Sequence, residues 1–148
     1  VIAFGIAIAV GVAGGLLTDI GPWYRALVKP SWQPPDWLFG PVWTAIFGLS
    51  AIAAVLAWRH AETDGDRSLI VAAFAANIVL NVAWSGLFFT LKRPDWALIE
   101  VVFLWLSVLA IVLVCYRYST RAGNLLLPYL AWVSFASVLN YKIVQLNP

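Results

Sequence analysis

Charge is scarce in this sequence. Of 148 residues only 11% are Asp, Glu, Lys or Arg, against roughly 25% in an ordinary soluble domain. So few charges cannot cover a soluble fold of this size, and a soluble fold is excluded. Histidine and cysteine are nearly absent too: His60 and Cys115 stand alone. A lone cysteine forms no internal disulfide and does not fix the redox compartment. One imidazole and one thiol supply no metal-ligand set. No Ser-His-Asp arrangement, phosphate loop or paired buried carboxylates occur, so ordinary hydrolytic or phosphoryl chemistry is not expected. The net charge of +2 comes without a basic run, which argues against a nucleic-acid partner.

What is present is apolar. Hydrophobic residues make up 63% of the chain, and the mean hydropathy is +0.89. A spanning helix needs roughly 20 mostly apolar residues. Five segments qualify, at about 1–18, 38–58, 68–90, 96–116 and 125–146. The chain starts at Val1 and holds no methionine, which reads as a trimmed or incomplete N-terminus. The first segment has the core of a signal peptide but no basic flank, and further spans follow, so a retained helix is expected. The links HAETDGDR, LKRPD and RYSTRAG are short, and short links make neighbouring helices antiparallel. The expected fold is therefore an all-α membrane protein, a five-transmembrane-helix up-down bundle in one domain. The first loop shares a side with Lys92–Asp95 and the C-terminus. Five cations on that side face four on the other. That is almost no positive-inside bias, with a slight lean to a cytoplasmic first loop.

Only the first link, about 19–37, is long, and long links are often functional lids. It flows into KPSWQPPDWLFGPVW, residues 29–43, which hold four prolines and three tryptophans. Pro30, Pro34 and Pro35 remove backbone donors and bias neighbours away from helix. Aromatic and cationic residues favour headgroup depth. The loop reads either as an interfacial anchor or as a stiff lid over the bundle end. Pro41 lies about one turn into the second segment, where early amides lack partners. Trp43 and Phe47 then share a face at i, i+4.

Polar stripes run inside the later segments. Asn77, Asn81, Trp84, Ser85 and Phe88 fall on one face of the third. Trp132, Ala136, Leu139 and Asn140 share a face of the fifth, with Pro128 near its start. Such stripes are interhelical glue or the wall of a ligand cavity. Glu100, one turn into the fourth segment, is a candidate functional carboxylate, or it reaches headgroup water, Lys92 or Arg93. Gly5, Ala7, Ala9, Gly11 and Gly15 recur at four-residue spacing and permit close helix approach, as do Ala72 and Ala76. Indoles and carboxamides suit a flat apolar ligand with a few polar edges. Tryptophan, an oxidisable aromatic, also suits photochemistry.

WYRALVKPSWQPPDWLFGPVWTAIFG, ANIVLNVAWSGLFF and PYLAWVSFASVLNY, in this order, resemble the TspO/MBR family of tryptophan-rich sensory and translocator proteins. The WxPPxW–PVW block is the most specific part, and the resemblance covers about residues 20–142. It implies a five-helix homodimer in the membrane, bacterial in origin, that binds protoporphyrin-type tetrapyrroles, sterols or benzodiazepine-type ligands. No cofactor is implied, porphyrin being a ligand. The implied pocket lies between the helices under the first loop. Its residues are Tyr24, Pro34, Trp43, Phe47, Asn77, Asn81, Trp84, Trp132, Ala136, Leu139 and Asn140. Light- and oxygen-dependent porphyrin breakdown, with Trp43 and Trp132 as catalytic residues, is the alternative. A transporter of tetrapyrroles or lipids is another, although no broken-helix pair supports it. The sterol pattern of the fifth helix is not matched, because Tyr141 and Lys142 are adjacent with no spacer. Val114, Tyr116 and Arg121 fit that pattern elsewhere.

Overall fold

The structure is a computed structural model and describes residues 2–18 and 20–148. Val1 of the expected first span and Asp19 of the expected loop lie outside the described residues. Six α-helices follow in order: α1 Ile2–Leu17, α2 Pro22–Ala26, α3 Asp36–Arg59, α4 Asp64–Ser85, α5 Pro94–Tyr118 and α6 Thr120–Leu146. A π-helical turn, Gly86–Thr90, extends α4. No strand occurs among the described residues.

Four of these elements are long and apolar enough to cross a membrane: α3, α4 with its π turn, α5 and α6. The five-span expectation is thus met in four helices. The first, α1, has 16 residues, or about 24 Å of helix, shorter than the roughly 30 Å hydrocarbon core of a bilayer. The loop after it is not wholly irregular. Pro22 begins the one-turn helix α2, where a proline costs little because its missing N–H has no intrahelical role.

The link between the last two helices also differs from expectation. RYSTRAG is almost entirely helical, with Ser119 alone between α5 and α6. The Ser119 hydroxyl accepts from the Ala122 amide at 3.2 Å, which satisfies an orphan donor at the new helix start. Gly123 then makes the corner possible, because a Cβ there would collide with the Tyr116 ring. Polar composition suggested a loop, but a capped corner with a glycine contact needs only one non-helical residue. Pro128 consequently lies two turns into α6 rather than near its start. At the head of α4, Thr63 and Asp66 form a reciprocal capping box, which sets the helix start at Asp64.

The core runs along α3, α5 and α6. Ala53, Ala57, Val108, Ile111, Cys115, Ala122 and Leu126 are fully buried there. The outward faces carry Val71, Val79, Ile99, Phe103, Leu113 and Val138 exposed, as expected where the solvent is lipid. α1 leans mainly on α3, with a smaller seam on α4 and the π turn. Gly11 packs against the Phe47 ring there, and a Cβ at this position would meet that ring in ordinary contact at 3.7 Å.

The expected side-by-side placement of the first loop, the Lys92–Asp95 link and the C-terminus is observed. Asn147 bonds the Val28 backbone twice, accepting from its N–H at 2.9 Å and donating to its carbonyl at 2.8 Å. Trp23 and Tyr24 meet the π turn through Phe88 and Phe89.

Candidate functional site: an aromatic chamber under the first loop

Four elements leave a chamber of about 760 Å³ at the loop end of the bundle, within the several-hundred-Å³ range of small-molecule sites. From α3 come Phe39, Gly40, Trp43, Thr44 and Phe47, spaced along one helical face. From α6 come Trp132, Ala136, Leu139, Asn140 and Ile143 at the same periodicity. α4 and its π turn add Asn81, Trp84, Ser85, Phe88 and Phe89, and α1 closes the remaining side with small residues such as Ala7, Gly11, Gly14 and Gly15.

The rings brace one another. Trp43 stacks on Phe47 at 5.4 Å and meets Trp132 edge-on at 6.3 Å, with planes at 90°. Phe39 meets Trp132 at 5.6 Å. On the opposite wall Trp84 stacks on Phe88 at 5.1 Å. Perpendicular and offset-stacked pairs are the favoured aromatic geometries, so each indole is held in a fixed plane before any ligand arrives.

The polar groups are mostly committed. The Trp84 indole donates to the Asn140 amide oxygen at 3.1 Å, and the Asn140 amide donates to the Pro94 carbonyl at 3.0 Å. Asn77 donates to the Ser107 hydroxyl and accepts from the Tyr129 hydroxyl, both at 3.1 Å. Asn81 donates to the Tyr129 hydroxyl at 2.7 Å. Its amide oxygen has no hydrogen-bond partner among the described residues, and Asn81 lines the chamber. Interhelical glue and cavity wall, the two readings of the α4 stripe, therefore hold together: the same carboxamides tie α4 to α5 and α6, and Asn81 also borders open space.

Under the loop, Tyr24 is 5% exposed. Its hydroxyl donates to Asp36 at 3.3 Å and accepts from the Gln33 amide at 2.9 Å. Lys29 sits over the Tyr24 ring at 4.3 Å. Burial, helped by the Asp36 charge, pushes the Tyr24 phenol from 10.0 up to about 12. Asp36 is the one charged residue in the chamber lining among the described residues.

Of the residues expected at the pocket, Tyr24, Trp43, Phe47, Asn81, Trp84, Trp132, Ala136, Leu139 and Asn140 line this chamber together. Pro34 and Asn77 do not. Pro34 lies half-buried in the loop. Asn77 borders a second cavity of about 140 Å³, which shares Ala7, Phe47 and Asn81 as walls with the chamber. Phe39, Asp36 and Phe89 line the chamber without having been singled out. Phe39 was legible, being one turn before Trp43 on the same face. Phe89 was not: an α-helix would turn it away from Trp84. The π turn holds more residues per turn and brings the i, i+5 pair together, with the rings 5.9 Å apart.

The family model described as "TspO/MBR family" matches residues 3–146. The chain is 44% identical to the tryptophan-rich protein TspO of Chlorobaculum tepidum, with 99% of this chain and 94% of that protein covered. It is 37% identical to the tryptophan-rich sensory protein of Cereibacter sphaeroides, over 90% of this chain and 82% of that one. It is 33% identical to the human translocator protein, over 84% of this chain and 75% of that one. With membrane-length helices and matches over nearly its whole length, the chain belongs to the TspO/MBR family and is a multi-pass membrane protein.

Proposed function

We propose that the protein is a membrane receptor for a flat, apolar tetrapyrrole of the protoporphyrin type, held in the chamber under the first loop. The observation that carries this reading is the pair of pre-set indole planes, Trp43 and Trp132, bordering about 760 Å³ of largely apolar space. A macrocycle would stack on these planes. The Asn81 amide oxygen offers an acceptor to a pyrrole N–H. The loop from Pro22 to Pro35 acts as the lid, tied down by Asn147 on one side and by Phe88 and Phe89 on the other. In this reading α1 is the fifth membrane span, shortened but apolar. Two copies of the chain form the working dimer, and the outward small residues Gly5 and Ala9 offer α1 a close-approach face.

The test is a protoporphyrin titration followed by tryptophan fluorescence. Saturable quenching is expected, weakened at least about tenfold, or 1.4 kcal/mol, in a Trp43→Ala, Trp132→Ala double variant. Equal affinity in that variant would remove the site.

A second reading is favoured by one further feature. Trp43 touches both Trp132 and Tyr129, at 6.3 and 6.1 Å, a chain of oxidisable rings beside the proposed ligand. Light- and oxygen-dependent porphyrin breakdown would use that chain. Under illumination the Soret band of the complex would then decay faster than that of free porphyrin, and equal decay would leave binding alone.

A further inference from the structure

Glu100 is the seventh residue of α5, about 9 Å along the helix from its start. The residue is half-buried, yet both of its carboxylate oxygens are shut off from solvent and neither has a hydrogen-bond partner. The stem lies toward the surface and the head is turned into the bundle. This is the reverse of snorkelling, in which a polar head seeks the interface.

No cation answers it. Arg93 is held by both oxygens of Asp95, at 3.0 and 2.7 Å, and lies over the Trp96 ring at 3.9 Å. Lys92 is exposed, at a left-handed backbone position with φ of 56°. Between Arg67 and Thr90, α4 and the π turn carry no titratable residue. Between Asp36 and Arg59, α3 carries none either. On α6, Lys142 donates to Gln145 at 3.2 Å and Tyr141 is exposed. On α6 the Tyr129 phenol is buried and already engaged by Asn77 and Asn81. An unpaired carboxylate inside a bundle costs several kcal/mol. Such a group binds a proton instead.

We propose that Glu100 is a proton-binding site, carried as the neutral acid inside the membrane-spanning bundle. Nothing in this depends on the nature of the larger ligand.

The test uses the ligand-free protein in bilayers and infrared difference spectroscopy between wild type and Glu100→Gln. The expected result is a protonated-carboxyl carbonyl band at neutral pH that titrates away reversibly in alkali and is absent from Glu100→Gln. Ionised carboxylate bands alone at neutral pH, or a protonated band that survives in the variant, would overturn the proposal. Should that variant fail to fold, labelling of the unaltered protein with an apolar carbodiimide decides. An adduct on Glu100 at neutral pH that fades in alkali supports the site; no adduct, or one insensitive to pH, overturns it.

Discussion

At the end of the bundle marked by Arg59, Asp64 and Tyr118, the helices meet through Ala57, Cys115 and Ala122, each 0% exposed. At the other end the same α3 and α6 present Trp43 and Trp132 to about 760 Å³ of open space. Side-chain size alone does not explain the difference, since large residues ordinarily fill space. What matters is what the large residues touch. Small residues let backbones close to contact distance. Indoles braced edge-on against other rings cannot collapse inward without breaking those contacts. One end is therefore a tight seam and the other a propped cavity.

The largest effect should come from forcing bulk into each end. Ala57→Leu adds three carbons where nothing can yield, and overpacking of this kind costs about 1–3 kcal/mol. Ala136→Leu adds the same volume toward the chamber and should leave thermal stability in detergent near that of wild type. It should also reduce whatever the chamber binds. Equal melting temperatures for the two variants would dissolve the distinction between seam and cavity.

A smaller effect sharpens the boundary between the ends, where Tyr129 ties α6 to α4. Tyr129→Phe removes one hydroxyl and strips partners from both Asn77 and Asn81. Interhelical polar contacts in membranes average only about 0.6 kcal/mol, but two carboxamides lose a partner together. A loss of about 1 kcal/mol is expected in reversible unfolding. A change indistinguishable from zero would mean that the carboxamides find other partners.

Much of the chamber end was legible in the sequence, for identifiable reasons. The stripe from Asn77 to Phe88 and the pair Trp43, Phe47 follow α-helical spacing, so periodicity placed them on inward faces. The parts that escaped depart from that spacing or depend on single contacts. Phe89 reaches the chamber only because five residues wind as a π turn. The α5–α6 corner looked like a loop, since Gly123 reveals its role only beside the Tyr116 ring. Glu100 was read as able to reach Lys92 or Arg93. Sequence distance could not show that Arg93 is taken by Asp95 and that the Glu100 carboxylate points the other way.

The smallest expected effect is confined to the loop and separates it from the bundle beneath. Tyr24 is neutral in its buried place, and its folded value of about 12 lies above its ordinary 10.0. A group raised on folding contributes stability that is complete below its unfolded value and is lost as pH climbs through the folded one. Loop order should therefore be unchanged up to about pH 10 and decline from there toward about pH 12, as the phenolate is expelled from beside Asp36. Proteolytic susceptibility of the segment around Val28, measured across that window, would show it. Tyr24→Phe removes the titration and the Gln33 and Asp36 bonds together, so its loop should be somewhat looser at neutral pH but flat through alkali. Helicity should stay constant throughout the window in both proteins, because the seam at the far end contains no part of the Tyr24 cluster. A parallel loss of helicity would mean that loop and bundle melt as one unit and that the two ends are not independent.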